Sequence, residues 1–283
     1  MKRRALLLTA LAAPAGVEAG RRIVYPQPDA GRSAVWTYLQ QVLQLAIERG
    51  GGGYELVESR EFMTQARVVR ELADATGRLD LGWTMTSIER EAQLLPVRVP
   101  LDRGLIGWRI AFVRAADAQR WSGLRSLDEL RRHVAVQGHD WPDTEILRAN
   151  GLPVREGNRF EALLEMVRLG RADYFPRALF EIDDEAASEL AHGLVIEPHV
   201  LLRYPAASYL FVRPDQPTLA ADLQRGLDAA ATDGSLKRLF DKRFGDLLQR
   251  HQVARRVQLR LNNPLLPPAT PLDKPAYWLV TGG

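Results

Sequence analysis

Residues 54–86 read YELVESREFMTQARVVRELADATGRLDLGWTMT. The ends, YELVES and LDLGWTMT, have strand composition, and FMTQARVVRELADATGR between them is a helix that stops near Gly77. On the N-terminal side, RRIVYPQP (21–28) is a strand ending at Pro26. A helix follows it, on which Trp36, Leu39, Val42, Leu43, Ala46 and Ile47 recur at helical spacing. Gly50 to Gly53 stop that helix. Four glycines suggest a phosphate loop, but these follow a helix, precede a strand and lack a Gly-Lys-Ser/Thr sequence, so they read as a connector. The order is β-α-β-α-β, the signature of a parallel sheet covered on both faces.

Towards the C-terminus the pattern breaks and restarts. LLPVRVPLDRGLIGWRIAFVRAAD is extended. Then come SLDEL as a short helix, HVAVQ as a strand, PDTEILRANG as a helix closed by Gly151, RFEALLEMVRLG as a helix closed by Gly170, and ADYFPRALF as a strand. A further strand, ASYLFVRP, leads into helical sequence that runs to Arg250. One α/β unit, a second, then a return to the first implies an α/β protein of two lobes, each a doubly wound sheet. The lobes are joined where GLIGWRIAFVR and RYPAASYLFVR cross between them. The expected division is residues 20–108 and 206–250 for lobe 1 and 109–205 for lobe 2. Residues 251–283, with Pro264, Pro267, Pro268, Pro271 and Pro275, form an extended strap. Ligands of such folds sit in the cleft, at strand C-termini and helix N-termini.

The 283 residues are 46% hydrophobic and 26% charged, an ordinary globular composition. The net charge is +3 and the basic residues are nearly all arginine, interspersed with acids, so no nucleic-acid footprint is expected. The N-terminus differs in kind. MKRR precedes the apolar run ALLLTALAA, too short to span a bilayer, and VEA offers small residues at a cleavage site. Residues 1–19 read as a signal peptide cleaved after Ala19. Its removal takes three basic residues and one acid, leaving +1. There is no cysteine, which excludes disulfides, thiolate metal sites and a cysteine nucleophile. The expected protein is soluble, exported to a periplasm and monomeric.

Four elements in order carry a resemblance to the type II periplasmic solute-binding proteins of family 3, the amino-acid-binding group. LDLGWTMTSIERE (79–91) is similar to the family's strand-to-arginine element. HVAVQGHDWPDTEIL (133–147) stands where the family has a Val-Gly-Val-x-x-Gly-Thr-Thr turn. EALLEMVRLGRADYF (161–175) is similar to its Leu-x-x-Gly-Arg-x-Asp element, and residues 208–245 resemble its closing strand and helices. The resemblance covers about residues 21–250. It implies capture of a small polar, carboxylate-bearing ligand between the lobes for ABC-type transport, with a membrane permease as partner. The alternatives are a ligand sensor for a membrane receptor, or a dehydratase-like enzyme on the same fold. No cofactor or metal is expected. No Gly-x-Ser-x-Gly or His-Glu-x-x-His motif supports catalysis.

The turn Gly138-His139-Asp140-Trp141 opens a helix at Pro142. A helix N-terminus carries unpaired N–H groups and partial positive charge, which favours an anion. Gly138 lets a ligand approach the backbone, and His139, Asp140 and Trp141 are candidate contacts. Asp140 or Asp143 reads as a cap of this helix, with Thr144 as a further choice. The resemblance places a carboxylate-clamping arginine at Arg90 and hydroxyl contacts at Thr84, Thr86 and Ser87. A guanidinium matches a carboxylate through two parallel donors. Where amino-acid binders carry an acid for the ligand's ammonium, five residues after Asp173, this chain has Ala178 beside Arg177. Arg177 is therefore a candidate that disfavours a zwitterion, unless Glu181 substitutes. Tyr25 is a candidate stacking residue, with Asp29 and Arg32 at the same turn.

Overall fold

A computed structural model describes residues 20–27 and 34–280. The expected signal peptide, Asp29 and Arg32 lie outside the described residues. In the first lobe, β1 (Arg21–Gln27) pairs in parallel with β2 (Tyr54–Phe62), placing Val24 opposite Val57. The strand continues through Pro26. Between them, α1 (Ala34–Gly50) buries Trp36, Tyr38, Val42, Leu43, Ala46 and Ile47 along one stripe, the amphipathic spacing visible in the sequence. The glycines after it are a turn, with Gly51, Gly52 and Gly53 all at positive φ. Next come α2 (Gln65–Ala73), capped by the Thr64 side chain, β3 (Leu81–Met85), α3 (Ile88–Gln93) and β4 (Leu95–Val97).

The chain enters the second lobe on β5 (Trp108–Arg114). There α4 (Leu127–Leu130) starts with a Ser126/Glu129 capping box. It is followed by β6 (Ala135–Gly138), α5 (Pro142–Ala149), β7 (Val154–Gly157), α6 (Phe160–Arg168), β8 (Tyr174–Ala178), α7 (Ile182–Ala186), β9 (Leu194–Ile196) and β10 (Val200–Arg203). The return strand β11 (Ser208–Val212) lies antiparallel between β3 and β4. The helical sequence after it is two helices, α8 (Pro217–Thr232) and α9 (Ser235–Arg250), broken at Gly234 with φ 75°. Finally β12 (Val257–Arg260) pairs in parallel with β10, so the seven-stranded sheet of the second lobe runs β12-β10-β5-β8-β6-β7, with β9 paired to β5 off this path. The first residues of the strap are thus an edge strand of the second lobe. The first lobe's strands fall into two ladders, parallel β1-β2 and antiparallel β3-β11-β4, in place of the one parallel sheet expected from the β-α-β-α-β order.

Two crossing segments join the sheets, one entering β5 and the other from Tyr204 to Ala207. They touch where the Tyr204 N–H donates to the Gly107 carbonyl. One apolar core threads both lobes, from Leu43 and Leu227 through Leu105 and Trp108 to Leu164 and Phe175. Among the described residues no helix is long and apolar enough to cross a membrane, and no cluster of metal-ligating side chains occurs.

The turn before β5 contains a buried acid. Asp102 is 4% exposed and accepts N–H bonds from Gly104 (3.1 Å) and Ile106 (2.9 Å). Burial nevertheless pushes its carboxyl up to about 6. The raised value means that the folded state holds this proton more tightly than the unfolded chain does. Between about pH 4 and pH 6 the folded state binds the extra proton, so stability falls as pH rises and flattens above. Each pH unit separating the folded and unfolded titrations is worth about 1.4 kcal/mol. Urea denaturation of the wild type and Asp102→Asn across this window is expected to give curves that diverge on the order of 3 kcal/mol. Parallel curves would show that this carboxyl titrates as it does in the unfolded chain.

Candidate functional site

A cavity of about 910 Å³ lies between the N-terminus of α3 in the first lobe and the face of α5 in the second. Arg90 and Ser87 form one wall, and His139, Asp140 and Trp141 another. The two elements singled out in the sequence therefore face the same space.

The arginine wall is built by its own strand end. Ser87, in extended backbone, caps α3 by accepting the Arg90 N–H (3.2 Å). Arg90 Nη1 donates to Thr84 Oγ1 (2.8 Å) and the Met85 carbonyl (2.6 Å), and Nη2 donates to Gln65 Oε1 (3.1 Å). Among the described residues no carboxylate lies within ion-pair distance of it. These three bonds use three of the five guanidinium N–H groups, leaving the Nε–H and one Nη2–H. Burial pulls the guanidinium down from its usual value, and Glu89 offsets part of this. Thr86 is taken up elsewhere: it is buried and donates to Glu91 Oε1 (2.7 Å), whose carboxylate also binds Arg98. Thr84, Thr86 and Ser87 thus shape the wall, and of the three hydroxyl residues only Ser87 lines the cavity.

On the opposite wall His139 and Asp140 are exposed, their Nδ1 and Oδ1 atoms 3.8 Å apart. Neither Asp140 nor Asp143 caps α5: Trp141 is its N-cap and makes no side-chain cap bond, while Pro142 occupies the first turn. Thr144 turns back to donate to the Gly138 carbonyl (2.7 Å). Asp143 is buried and bound to Arg109 Nε (3.0 Å) and to the Tyr204 hydroxyl. Gly138 has a different role from the one expected. A Cβ there would lie 2.6 Å from the Trp141 indole, so the glycine admits this side chain rather than a ligand. Gly138→Ala is expected to displace the indole at a cost of about 1–3 kcal/mol, typical of overpacking. Near-ultraviolet circular dichroism and urea denaturation would detect it, and in a Trp141→Ala background the same Gly138→Ala change should cost little further, because the clashing ring is gone. An unchanged spectrum and midpoint would refute this packing.

Arg177 and Tyr25 stand away from the cavity. Arg177, 9% exposed, lies behind Trp141 with its guanidinium carbon 4.8 Å from the indole centroid. It binds Glu185 bidentately and Glu181 at 3.0 Å. Burial alone would lower its value, but Glu181 and Glu185 outweigh burial and keep it charged. A cation already neutralised by two acids is a support for Trp141, not an open ligand contact. The Tyr25 ring is 6% exposed and stacked 6.2 Å from Trp36, with its hydroxyl held by Gln40 (2.8 Å). It belongs to the first-lobe core.

Sequence reasoning passed over several lining residues. Glu145 and Arg148 come from the outer face of α5, and Leu265 comes from the strap. Arg148 pairs with Glu156 at 2.5 Å. The helical period of α5 could have indicated the first two; nothing local marks Leu265.

Neither a protein-family model nor a curated protein matches this sequence. Solved structures do match. A probable amino-acid ABC transporter extracellular-binding protein, ytmK of Bacillus subtilis, is 18% identical with a TM-score of 0.58, covering 80% of this chain and 99% of its own. The periplasmic VFT2 domain of Bordetella pertussis BvgS is 18% identical with a TM-score of 0.57, covering 79% of this chain and 93% of its own. An ancestral arginine-binding protein bound to arginine is 13% identical with a TM-score of 0.55, covering 80% of this chain and all of its own. The chain has the two-lobed α/β fold of the type II periplasmic binding proteins.

Proposed function

We infer that the protein is an exported solute-binding protein that closes on a small polar ligand bearing a carboxylate and delivers it to a membrane permease of the ABC type. Residues 1–19 act as its signal peptide, the periplasm is its compartment, and it works as a monomer without cofactor or catalytic step. The observation that carries this reading is Arg90: a half-buried guanidinium held only by neutral oxygens, with a donor pair to spare, on the wall of a cavity. A carboxylate fits that pair. His139, Asp140 and Trp141 meet the rest of the ligand from the second lobe. A ligand touching both walls favours the closed state by its differential affinity for it. The sensor reading stands second because structures of this fold include the BvgS domain and a histidine kinase sensor domain, 18% identical with a TM-score of 0.54.

The test is a thermal-shift screen of the mature protein against amino acids, organic acids and short peptides. A ligand at a hundredfold excess over its Kd stabilises the folded state by about 2.7 kcal/mol. Stabilisation by uncharged solutes alone would overturn the carboxylate reading. Turnover of a stabilising compound would restore the enzyme alternative.

A further inference from the structure

We propose that the C-terminal strap is a third connection between the lobes, and that it limits how far they open. The matched structures cover about four-fifths of this chain while being covered almost completely themselves, so the chain carries sequence beyond the shared fold. The structure shows where the strap goes. β12 is fixed to the second lobe along Val200–Arg203. Asn262 then exchanges two bonds with the Asn150 side chain at the end of α5 (2.8 and 2.9 Å). Asn263 folds the next turn, accepting the Leu265 N–H (3.0 Å) and donating to the carbonyl of Pro205, on the second crossing segment (2.9 Å). At Leu265 the strap reaches the first lobe, where its carbonyl accepts the Ile88 N–H (3.0 Å).

From there it stays on the first lobe and the hinge. The Tyr277 hydroxyl binds Asp228 on α8. Trp278 lies over Gly104, where a Cβ would come within 2.6 Å of the ring. Arg103 and the residues facing it are bonded both ways, Leu279 N–H to the Arg103 carbonyl (2.8 Å) and Arg103 Nη2 to the Trp278 carbonyl (2.7 Å). The span between the two anchorages is short: Asn262 on one lobe, Leu265 on the other, three residues apart with Pro264 between. Three extended residues reach about 10 Å and no more. The five prolines from Pro264 to Pro275 fix φ at each position, so the strap has little slack. Opening the lobes therefore means pulling Leu265 off Ile88, or peeling Asn262 off Asn150 back to the end of β12. Leu265 also lines the cavity, so the tether acts at the mouth of the cleft and not only at its hinge.

The natural chain has no cysteine, so spin labels on Arg70→Cys (α2) and Glu161→Cys (α6), both exposed, report only the lobe-to-lobe distance. Ile88→Pro removes the donor to Leu265. Ile88 is the first residue of α3, where proline is favoured and the N–H has no helical partner. Ser87 before it is already extended, as a residue preceding proline must be. Asn150→Ala removes the side-chain anchorage of Asn262, so the nearest hold on the second lobe becomes the Leu261 N–H on the Arg203 carbonyl at the end of β12, and the tether lengthens. Without any added solute, double electron–electron resonance of the labelled protein is expected to show one narrow distance peak. The Ile88→Pro/Asn150→Ala variant should gain a longer-distance population that is absent from the parent. If the double variant does not fold, Ile88→Pro alone serves. An identical distribution in a folded variant, or a broad one in the parent, overturns the tether. No ligand is needed, so this outcome is independent of the site's specificity.

Discussion

Arg90→Ala is expected to weaken binding of the carboxylate ligand by about 2–5 kcal/mol, the usual loss when one partner of a charge-assisted contact is removed. That is roughly 30-fold to several thousand-fold in Kd. The size follows from how the side chain is held. Thr84, the Met85 carbonyl and Gln65 take three N–H groups and fix the plane of the guanidinium, so its free edge is pre-set to meet a carboxylate. Arg90→Lys should recover only part of the loss. An ammonium is a point donor, and it cannot hold Thr84 and the ligand as one fork. The fold should survive Arg90→Ala, because the partners left behind are neutral, sit beside the cavity and can bond water. Calorimetric titration of both variants with a ligand from the thermal-shift screen is the measurement. Wild-type affinity in a folded Arg90→Ala protein would show that the anion is held elsewhere.

Periodic features were legible in the sequence. The α1 stripe from Trp36 to Ile47, the turns at Gly77, Gly151 and Gly170, and the restart of the α/β pattern follow from local spacing and backbone chemistry. Short strands were not. β7 has only partly buried or exposed residues, and β12, four residues including Gln258 and Arg260, is a strand only because β10 lies beside it. The site divides in the same way. Arg90 is singled out through the resemblance of residues 79–91 to the family's strand-to-arginine element, and its side chain lines the cavity. Arg177 read as a free cation because its stacking on Trp141 is invisible locally, although Glu181 and Glu185 stand four and eight residues away. Leu265 reaches the cavity only by the course of the strap. Asp143 is the clearest case: its partners Arg109 and Tyr204 are 34 and 61 residues distant, so a residue that looks like a helix cap is instead a buried anion.

That burial makes Asp143→Ala the most damaging substitution expected outside the apolar core. Arg109 is 5% exposed and Asp143 7%. Arg109 Nε and Nη2 approach the two carboxylate oxygens at 3.0 and 3.2 Å, and Nε also donates to the Tyr204 hydroxyl at 2.7 Å. Burial would lower the Arg109 value, but Asp143 and the other partners outweigh burial and raise it. Burial likewise pushes the Tyr204 phenol well up, so it stays protonated and donates to Asp143. Removing the carboxylate strands a buried cation whose next acid, Glu181, is 4.0 Å away. Breaking such a pair from one side costs about 3–5 kcal/mol. In a chain of this size each kcal/mol lowers Tm by about 2–4 °C. Asp143→Asn keeps the shape and should lose nearly as much, because the missing quantity is charge. Pairing Asp143→Ala with Arg109→Met should return much of the stability, since a buried pair replaced by apolar groups is often close to neutral. Urea denaturation followed by tryptophan fluorescence would measure all three. The network joins the first crossing segment (Arg109), the second (Tyr204) and the first turn of α5, so its loss should loosen the Trp141 wall and the hinge together. A midpoint for Asp143→Ala within about 1 kcal/mol of wild type, close to the range of a surface substitution, would mean that Arg109 finds water or Glu181 at little cost and that the pair does not hold this junction.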